Sequence, residues 1–229
     1  MKKIIGFAVS LLVLQSHLTH AQDTKPQSER EQFSYAVGFQ IGSQIAQQIM
    51  AEGLDLDPAA LAQAIEDVIA GRQPALTIEE MNAAIAAVQQ RAQEETMANA
   101  QAAIEAGNAY RENYANQNGV MRTESGLLYR ELAAGAGKKP GPNDTVVVHY
   151  RGTLIDGTEF DSSIKRGQPA TFSLNGIIPG WQEILQLMPE GARWEVVIPP
   201  SLAYGSTGAG PTIGPEATLV FEIELIEVK

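Results

Sequence analysis

The spacing of apolar residues changes once along this chain, and that change limits the folds available to it. Between residues 33 and 92 apolar side chains recur at every third or fourth position, as on the buried face of a helix. After residues 116–119 the apolar segments are short and rich in β-branched and aromatic residues, which is typical of strands. The sequence therefore predicts a helical N-terminal half and a largely β C-terminal half.

Two helices are predicted first. Ser28 and Glu31 have the spacing of a capping box that begins the first helix. Asp57 as the N-cap and Pro58 at the first helical position begin the second, which Gly71 ends. The apolar stripe of the first helix is Phe33, Val37, Ile41, Ile45 and Ile49, and the predicted buried face of the second is Leu61, Ile65, Val68 and Ile69.

A third helix is predicted to begin at a capping box in residues 77–80. Its apolar residues step by three and four in a heptad-like seam, which consists of Ile78, Met81, Ile85, Val88 and Ala92. From Ala92 to Ala115 the chain keeps helix formers but has few large apolar residues, so we expect an exposed helix between two domains. A flexible linker is the alternative, and the low proline and glycine content disfavours it.

The C-terminal half is predicted to be an α+β half-barrel. The predicted strands are 127–132, 145–152, 170–174, 193–198 and 217–228. Asp156-Gly157 is a hairpin-type turn signal. A single short helix fits residues 180–188, and it would lie against one antiparallel sheet.

The composition excludes several kinds of active site. The chain has no cysteine, which excludes thiol nucleophiles, disulfides and thiolate metal sites. Its three histidines are His17, His20 and His149, and the first two lie in an N-terminal leader. One remaining histidine disfavours a serine–histidine triad and a multi-histidine zinc site. We therefore expect neither a metal nor a cofactor.

Residues 1–21 have the pattern of a secretory signal, with Lys2 and Lys3 before an apolar run and a small-residue cleavage site at 19–21. A membrane-spanning helix is the alternative, but the apolar run is too short. Without these two lysines, 14 of the 16 basic residues remain against 27 acidic ones, a net charge of −13. Because such a surface repels nucleic acid and anionic membrane, we expect protein or neutral partners.

Separated motifs of the C-terminal half occur together in one known family. They are Val146-Val147-Val148-His149-Tyr150-Arg151-Gly152, Phe160-Asp161-Ser162-Ser163, Ile177-Ile178-Pro179-Gly180-Trp181, Ala203-Tyr204-Gly205 and Leu219-Val220-Phe221. In this order they resemble the FKBP family of peptidyl-prolyl cis-trans isomerases, over residues 126–229. The resemblance implies the same half-barrel and, as the activity, rotation about the peptide bond that precedes proline.

The resemblance also implies the active-site residues. The matched catalytic positions are Tyr150, Phe160, Asp161, Trp181, Tyr204 and Phe221, and the substrate-binding positions are Ile177, Ile178, Phe172 and Ile213. Asp161 matches a pocket carboxylate, Tyr204 a hydroxyl donor to a substrate carbonyl, and the Ile178 N–H a second donor. For any one aromatic residue core packing is the alternative, and the joint match favours a cleft. Strand alternation places His149 opposite Tyr150, at the solvent side or rim.

This reaction needs few ionisable groups. Rotation about an X–Pro bond has a barrier of about 20 kcal/mol, and no bond to hydrogen breaks. A dry apolar cleft that favours the twisted amide is sufficient, since lowering the barrier by about 5 kcal/mol accelerates rotation roughly 10³- to 10⁴-fold.

One other site is conceivable in the same segment. Asp156, Glu159 and Asp161 could form a metal or glycosidase cluster, but their spacing does not match a calcium loop and Asp156 is explained by a turn.

The loop 205–215 is expected to form the rim of the cleft. Two rim positions depart from the small members of the family that this chain resembles. Ala209 stands where a histidine is frequent and Ala170 where an aromatic residue is frequent, which bears on affinity for macrolide inhibitors.

The N-terminal half has a resemblance of its own. The segment Phe33-Ser34-Tyr35-Ala36-Val37-Gly38, the three-helix layout and the long connecting helix look like the group of macrophage infectivity potentiators and periplasmic FkpA. In that group this region forms a dimer through intertwined helices. The expected organisation is a signal at 1–21, a helical dimerisation domain with connecting helix at 22–118, and an isomerase domain at 119–229.

Together these features predict an exported, homodimeric peptidyl-prolyl cis-trans isomerase of a Gram-negative periplasm, with surface exposure or secretion as alternatives. The expected partners are proline-containing unfolded or nascent exported proteins, and no nucleic acid or membrane anchor is expected. Two other functions stay open. One is a chaperone that holds unfolded chains, with secondary isomerase activity, and the other is an inactive FKBP-like binding module, which the retained aromatic positions disfavour.

Overall fold

The computed structural model describes residues 25–229, so the predicted secretory signal lies outside the described residues. The chain divides into two compact units, Met1–Thr77 and Ile78–Lys229. The division falls where the third helix begins. The long helix therefore belongs to the same unit as the β-rich half, whereas the predicted domain boundary, 118/119, follows its end.

The first unit contains the helices α1 (Glu29–Glu52) and α2 (Pro58–Ile69). The capping box predicted for α1 is confirmed, since Ser28 Oγ accepts the Glu31 N–H at 3.2 Å and Glu31 Oε2 accepts the Ser28 N–H at 2.9 Å. The predicted N-cap of α2 is confirmed too, because Asp57 Oδ1 accepts the Ala60 N–H at 2.7 Å. Both helix starts could thus be located from short-range sequence signals.

The apolar side chains of α1 and α2 remain exposed in the single chain. Neither helix contains a buried residue, and Phe33 is 70% and Ile69 82% exposed. For the single chain, the prediction that Leu61, Ile65, Val68 and Ile69 form a buried face is therefore wrong. An amphipathic helix buries its apolar stripe only against a further layer, and two helices supply too little of one.

The second unit begins with the long helix α3 (Ile78–Ala115). The strands are β1 (Val120–Arg122), β2 (Leu128–Ala133), β3 (Thr145–Leu154), β4 (Glu159–Ser162), β5 (Ala170–Ser173), β6 (Arg193–Ile198) and β7 (Leu219–Val228). They pair in the order β1-β2-β6-β7-β3-β4, with β5 on the first part of β3, and every pairing is antiparallel. The helices α4 (Ser163–Arg166) and α5 (Pro179–Leu187) complete the unit with 3₁₀ turns at Leu174–Gly176 and Pro200–Leu202.

The predicted α+β class is confirmed, and each predicted strand and the short helix lie within two residues of their observed bounds. The sequence interpretation missed β1, β4 and α4, which are only three or four residues long. Segments this short contain too few residues to display a period.

The main core lies between the sheet and α5. Alternate residues of β7 from Leu219 to Leu225 are buried, and they pack on Ile184 and Leu185 of α5. Gly180 permits this close approach, because a Cβ atom there would lie 2.6 Å from Ile198 Cγ2. The core face of the sheet, defined by Leu219, Phe221, Ile223 and Leu225, is called the inner face.

The last turns of α3 pack on the opposite, outer face of the sheet. Tyr114 is 3% exposed and forms a cluster with Leu128 and Val197. Its hydroxyl donates to Glu195 Oε1 at 2.8 Å, and Arg130 Nη2 donates to the same oxygen at 2.7 Å. The prediction of an exposed connecting helix is thus wrong for this end of α3, because Tyr110 and Tyr114 supply apolar surface four residues apart. Of the helices within residues 25–229, none has the length and apolar character needed to cross a membrane.

Candidate active site

A cavity of about 540 Å³ opens between α5, the inner face of the sheet and the loop that precedes β7. All ten residues predicted for the site line it, namely Tyr150, Phe160, Asp161, Phe172, Ile177, Ile178, Trp181, Tyr204, Ile213 and Phe221. They come from the four strands β3, β4, β5 and β7, from α5, and from the loops that precede α5 and β7, which are far apart in sequence. Gly176 and residues 209–212 also contribute to the lining.

Trp181 lies at the centre of the aromatic lining. Its ring meets Tyr150, Phe172 and Phe221 edge-to-face, with ring centroids 5.1, 5.6 and 5.2 Å away and interplanar angles of 89°, 85° and 82°. The residue is 4% exposed and lies in the first turn of α5, which holds its backbone. Edge-to-face packing of this kind keeps each ring in one orientation. The cavity wall is therefore formed by rings that are already held in place.

Gly152 creates the space for two of these rings. It lies two residues after Tyr150, and so on the same face of β3. A Cβ atom at Gly152 would lie 2.6 Å from a ring carbon of Phe160 and 2.7 Å from one of Phe221. These two rings also pack edge-to-face on each other, with centroids 5.5 Å apart. The absent side chain thus lets both rings lie directly against the strand.

The Asp161 carboxylate is held by two neighbours. The Tyr150 hydroxyl donates to Asp161 Oδ2, and Arg166 Nη1 donates to Asp161 Oδ1. Arg166 Nη2 also donates to the Tyr150 hydroxyl at 2.9 Å, and its guanidinium carbon lies 5.6 Å from the Tyr150 ring centroid. The negative charge beside the cavity is therefore neutralised by a positive one.

This network sets the protonation of both acidic groups. Burial acts to raise the pKa of Asp161, but hydrogen bonds from Tyr150 and Arg166 outweigh it, so the pKa lies below its ordinary value. Burial and the hydrogen bond to Asp161 raise the pKa of Tyr150. Near neutral pH Asp161 is thus a carboxylate and Tyr150 a neutral phenol, and neither is poised to transfer a proton.

Two hydrogen-bond donors at the cavity remain available for a ligand. Tyr204 is 40% exposed, and in the described part of the chain its hydroxyl has no hydrogen-bond partner. The Ile178 N–H likewise meets no acceptor among residues 25–229. Gln182 Nε2 donates to the Ile177 carbonyl at 2.7 Å and holds this corner of the cavity. A ligand carbonyl group could accept from either free donor.

The rim of the cavity is a narrow loop, as predicted. Ala209 and Ile213 exchange two backbone hydrogen bonds of 2.8 and 3.2 Å, which close the tip around residues 210–212. Gly208, with φ of +70°, leads into this turn, and a Cβ atom there would lie 2.3 Å from the Ile213 carbonyl oxygen. Ala209 lines the cavity, whereas Ala170 is not part of the lining and packs at the edge of the core.

The remaining polar candidates have other partners. His149 lies outside the cavity lining, and its Nδ1 is 3.0 Å from Ser163 Oγ. Asp156 Oδ1 accepts the Thr158 N–H at 2.9 Å inside the predicted turn. Glu159 pairs with Arg151 at 2.9 Å. Each acidic residue of the segment thus has a local partner that accounts for it.

Sequence reasoning missed three residues at this site, Gly152, Ser163 and Arg166. A glycine two positions after a pocket tyrosine is a signal for Gly152, because residues i and i+2 share a strand face. Arg166 follows Asp161 by five residues, and only the turn into α4 brings the two side chains together. No strand or helix period would have indicated that pair.

The chain contains two matches to family models. Residues 136–226 match the family described as FKBP-type peptidyl-prolyl cis-trans isomerase. Residues 30–130 match the family described as the domain amino terminal to FKBP-type peptidyl-prolyl isomerase. The two matches do not overlap, and together they extend over nearly all of the described chain.

Curated relatives and solved structures agree with these matches. The chain is 46% identical over 198 residues to the FKBP-type 22 kDa peptidyl-prolyl cis-trans isomerase of Escherichia coli K12, covering 86% of this chain and 94% of that protein. It is 38% identical to the peptidyl-prolyl cis-trans isomerase Mip of Coxiella burnetii, covering 100% of this chain and 99% of that protein. The crystal structure of FkpA from Escherichia coli is similar with a TM-score of 0.64 at 38% identity, covering 89% of this chain and 98% of that one.

Proposed function

The chain belongs to the family of FKBP-type peptidyl-prolyl cis-trans isomerases and has that activity, and we propose that the cavity beside Trp181 is where the rotation takes place. The substrates proposed are proline-containing unfolded or nascent exported proteins. The observation that carries this proposal is the ring arrangement, in which three aromatic side chains pack edge-to-face around Trp181. It creates a rigid apolar space beside two free hydrogen-bond donors.

The apolar lining supplies the main catalytic effect. A planar amide is more polar than a twisted one, because resonance separates charge between its nitrogen and oxygen. Transfer from water into an apolar cavity therefore costs the planar amide more than the twisted one. The proline ring lies against Trp181 in this proposal, with Phe221, Phe160 and Tyr150 beside it.

The polar groups orient the substrate. The Tyr204 hydroxyl and the Ile178 N–H donate to carbonyl oxygens that flank the proline, and so hold one part of the peptide while the bond rotates. Asp161 accepts from the Tyr150 hydroxyl and keeps it in place at the cavity edge. No residue in this scheme gives or takes a proton.

The two tryptophans of the chain provide an internal test. Trp181 lines the cavity, whereas Trp194 is stacked on Tyr129 with centroids 4.7 Å apart and lies outside the lining. Titration of the ¹⁵N-labelled full chain with a proline-containing tetrapeptide should shift the Trp181 indole signal and leave the Trp194 signal in place. A larger shift at Trp194 would place the substrate elsewhere, even if the chain isomerises the peptide.

We propose further that the first unit and the start of α3 hold a homodimer. Phe33, Phe39 and Val68 are 70%, 67% and 80% exposed in the single chain, and on α3 Ile78 is 68% exposed. Several large apolar residues exposed on the same helices mark an interaction surface, and a second copy of the chain can cover them with its own identical residues. The proposed domains are residues 22–118 for dimerisation and 119–229 for catalysis, after a signal at 1–21 that directs export to the periplasm.

Sedimentation velocity on two matched variants would test the dimer. Phe39→Glu should lower association strongly, because a charge in an apolar interface is left without a partner. Met121→Glu, at a residue 44% exposed in the second unit, should sediment as the wild type does. Equal sedimentation of wild type and Phe39→Glu would contradict the proposed interface.

We also propose a second function, chaperone activity, which the apolar residues of the first unit support through the dimer that they hold. Two catalytic units on one dimer would raise the effective concentration of a second cavity near a bound client.

A fragment that begins at residue 100 tests the chaperone proposal, because it keeps the α3 residues packed on the sheet and lacks the first unit. It should match the full chain on a tetrapeptide and be weaker in suppressing aggregation of an unfolded protein. Equal performance of the fragment on both substrates would remove the chaperone proposal.

A further inference from the structure

The strand that carries Tyr150 has a gap in its pairing at that residue. Along one edge β3 pairs with β7, where Tyr150 lies opposite Ile223. Along the other edge β5 pairs with residues 145–148 and β4 with residues 151–153. His149 and Tyr150 lie between these two partners, where no strand of the described chain pairs with them. Because Tyr150 is 5% exposed, water cannot readily replace the missing partner.

The side chain of Ser163 fills this gap. Its Oγ accepts the Tyr150 N–H at 2.8 Å, and the residue is fully buried. The same Oγ lies 3.3 Å from the Tyr150 carbonyl oxygen and 3.0 Å from His149 Nδ1. A hydroxyl has one donor and two acceptor positions, and these neighbours use them. Ser163 is therefore occupied with the backbone of Tyr150 and is not available as a nucleophile.

The same short segment also holds the other end of Tyr150. Asp161 and Arg166 bind its hydroxyl, two residues before and three residues after Ser163. Residues 161–166 thus contact both the backbone N–H and the phenol oxygen of one side chain. That side chain packs edge-to-face on Trp181 with centroids 5.1 Å apart. A shift of Tyr150 would therefore move the wall of the cavity.

We infer that Ser163 is a positioning residue of this isomerase, whose hydroxyl replaces the missing strand partner and fixes the Tyr150 ring at the cavity. The inference rests on the proposed location of the active site. Loss of the hydroxyl leaves a buried N–H without an acceptor, and β3 can relieve this only by shifting locally at Tyr150. Small displacements of groups that line an active site lower the rate although no contact with substrate is removed.

The neighbouring Ser162 provides a matched control. It is 5% exposed, and its Oγ accepts the Lys165 N–H at 3.1 Å at the start of α4 without contacting Tyr150. Both Ser163→Ala and Ser162→Ala should lower the thermal midpoint of the full chain. On a proline tetrapeptide well below that midpoint, Ser163→Ala should lower kcat/KM about tenfold, whereas Ser162→Ala should stay within about twofold of wild type.

A spectroscopic readout separates positioning from general destabilisation. The Trp181 indole signal should move in Ser163→Ala, because the Tyr150 ring beside it moves, and it should stay in place in Ser162→Ala. Ser163→Thr, which keeps the hydroxyl, should restore the Trp181 signal and most of kcat/KM. If Ser163→Ala does not fold, Ser163→Cys, with a weak sulfur acceptor of similar size, should show the same loss.

Two results would overturn the inference. One is equal kcat/KM for the Ser163→Ala and Ser162→Ala variants, and the other is an unmoved Trp181 signal in Ser163→Ala. Tyr150→Ala separates this failure from failure of the proposed site. If Tyr150→Ala loses activity while Ser163→Ala does not, only the positioning role is wrong. If Tyr150→Ala keeps wild-type kcat/KM, the active site has been placed wrongly.

Discussion

The two faces of the sheet are both covered by aromatic residues, but they differ in how completely those residues fill the space. On the outer face Tyr110 and Tyr114 stack nearly parallel, with an interplanar angle of 9°, and close-packed side chains surround Tyr114. On the inner face the rings around Trp181 meet at angles above 80° and leave a cavity of about 540 Å³. The outer-face rings are thus closely packed with their neighbours, whereas the rings around Trp181 line an open space.

The polar groups differ in the same way. On the outer face the Tyr114 hydroxyl donates to Glu195 Oε1, which also accepts from Arg130 Nη2, so the Tyr114 hydroxyl is satisfied within the fold. On the inner face the Tyr204 hydroxyl and the Ile178 N–H have no acceptor among the described residues. Satisfied buried groups contribute to stability, and free donors can contribute to binding. The comparison predicts that outer-face variants change stability alone and that inner-face variants change activity.

The largest effects should come from truncating one buried aromatic residue on each face. Tyr114 is 3% and Phe221 4% exposed, so each alanine variant should lose about 3 kcal/mol in free energy of unfolding. Phe221→Ala should also lower kcat/KM by at least about tenfold, because it removes part of the cavity wall. Tyr114→Ala should keep wild-type kcat/KM when assayed below its thermal midpoint.

Denaturant unfolding together with a protease-coupled peptide assay measures both quantities. A loss of turnover in folded Tyr114→Ala would mean that the outer face contributes to catalysis and would break the comparison. Wild-type turnover in Phe221→Ala would remove Phe221 from the active site.

Two tightly packed glycines give a second matched pair. A Cβ at Gly107 in α3 would lie 2.5 Å from Thr218 Oγ1, and one at Gly152 would lie 2.6 Å from the Phe160 ring. Each alanine variant should lose about 1–3 kcal/mol of stability from overpacking. Gly152→Ala displaces Phe160 and Phe221, so its kcat/KM should fall about tenfold, while that of Gly107→Ala should not change. Equal turnover of the two variants would contradict the role of Gly152.

The sequence predicted the inner face better than the outer face, and the reason is physical. Phe221 belongs to a strand with a period of two, and Trp181, which packs on it from α5, belongs to a local motif, so both can be read from the sequence. The outer face depends on Tyr114 meeting Leu128 and Val197, residues of two other strands. Alanine-rich composition around Tyr110 and Tyr114 indicated an exposed helix, and tertiary packing decided otherwise.

Within the site, too, some features could be predicted from the sequence and others could not. Ten of the lining residues could be named in advance from the family resemblance, and eight of these lie in its separated motifs. The Tyr150–Asp161–Arg166 network could not, because it depends on the course of a four-residue helix. Likewise the role of Ser163 follows from a gap between β4 and β5 that is visible only once the strand register is known.

Smaller effects are expected from the polar groups of the cavity. Tyr204→Phe removes one donor and should lower kcat/KM about two- to tenfold. Asp161→Ala releases the Tyr150 hydroxyl and should give a loss of similar size. His149→Ala, on the opposite face of β3, should change kcat/KM less than either. The same peptide assay on the three folded variants measures these losses. A loss of kcat/KM confined to His149→Ala would show that the wrong face of β3 was assigned to the active site.

The smallest expected effect is that of pH. The pKa of Asp161 is depressed in the folded chain, so its stabilising contribution is present above its unfolded value near 3.8 and is lost as pH falls through the lower folded value. The pKa of Tyr150 is raised above 10.0, so its contribution is present below pH 10 and is lost as pH rises through the folded value. Neither group changes charge between pH 6 and 8.

Catalysis should therefore be nearly independent of pH between 6 and 8 on an uncharged peptide. The one histidine among the described residues is His149, whose Nδ1 lies 3.0 Å from Ser163 Oγ. The Ser163 hydroxyl can donate to His149 Nδ1, or accept from it and donate to the Tyr150 carbonyl. In both states Ser163 Oγ still accepts the Tyr150 N–H, so the cavity wall keeps its place. If kcat/KM depended on pH between 6 and 8 in the wild type but not in His149→Ala, His149 would affect the cavity although it lies on the opposite side of β3.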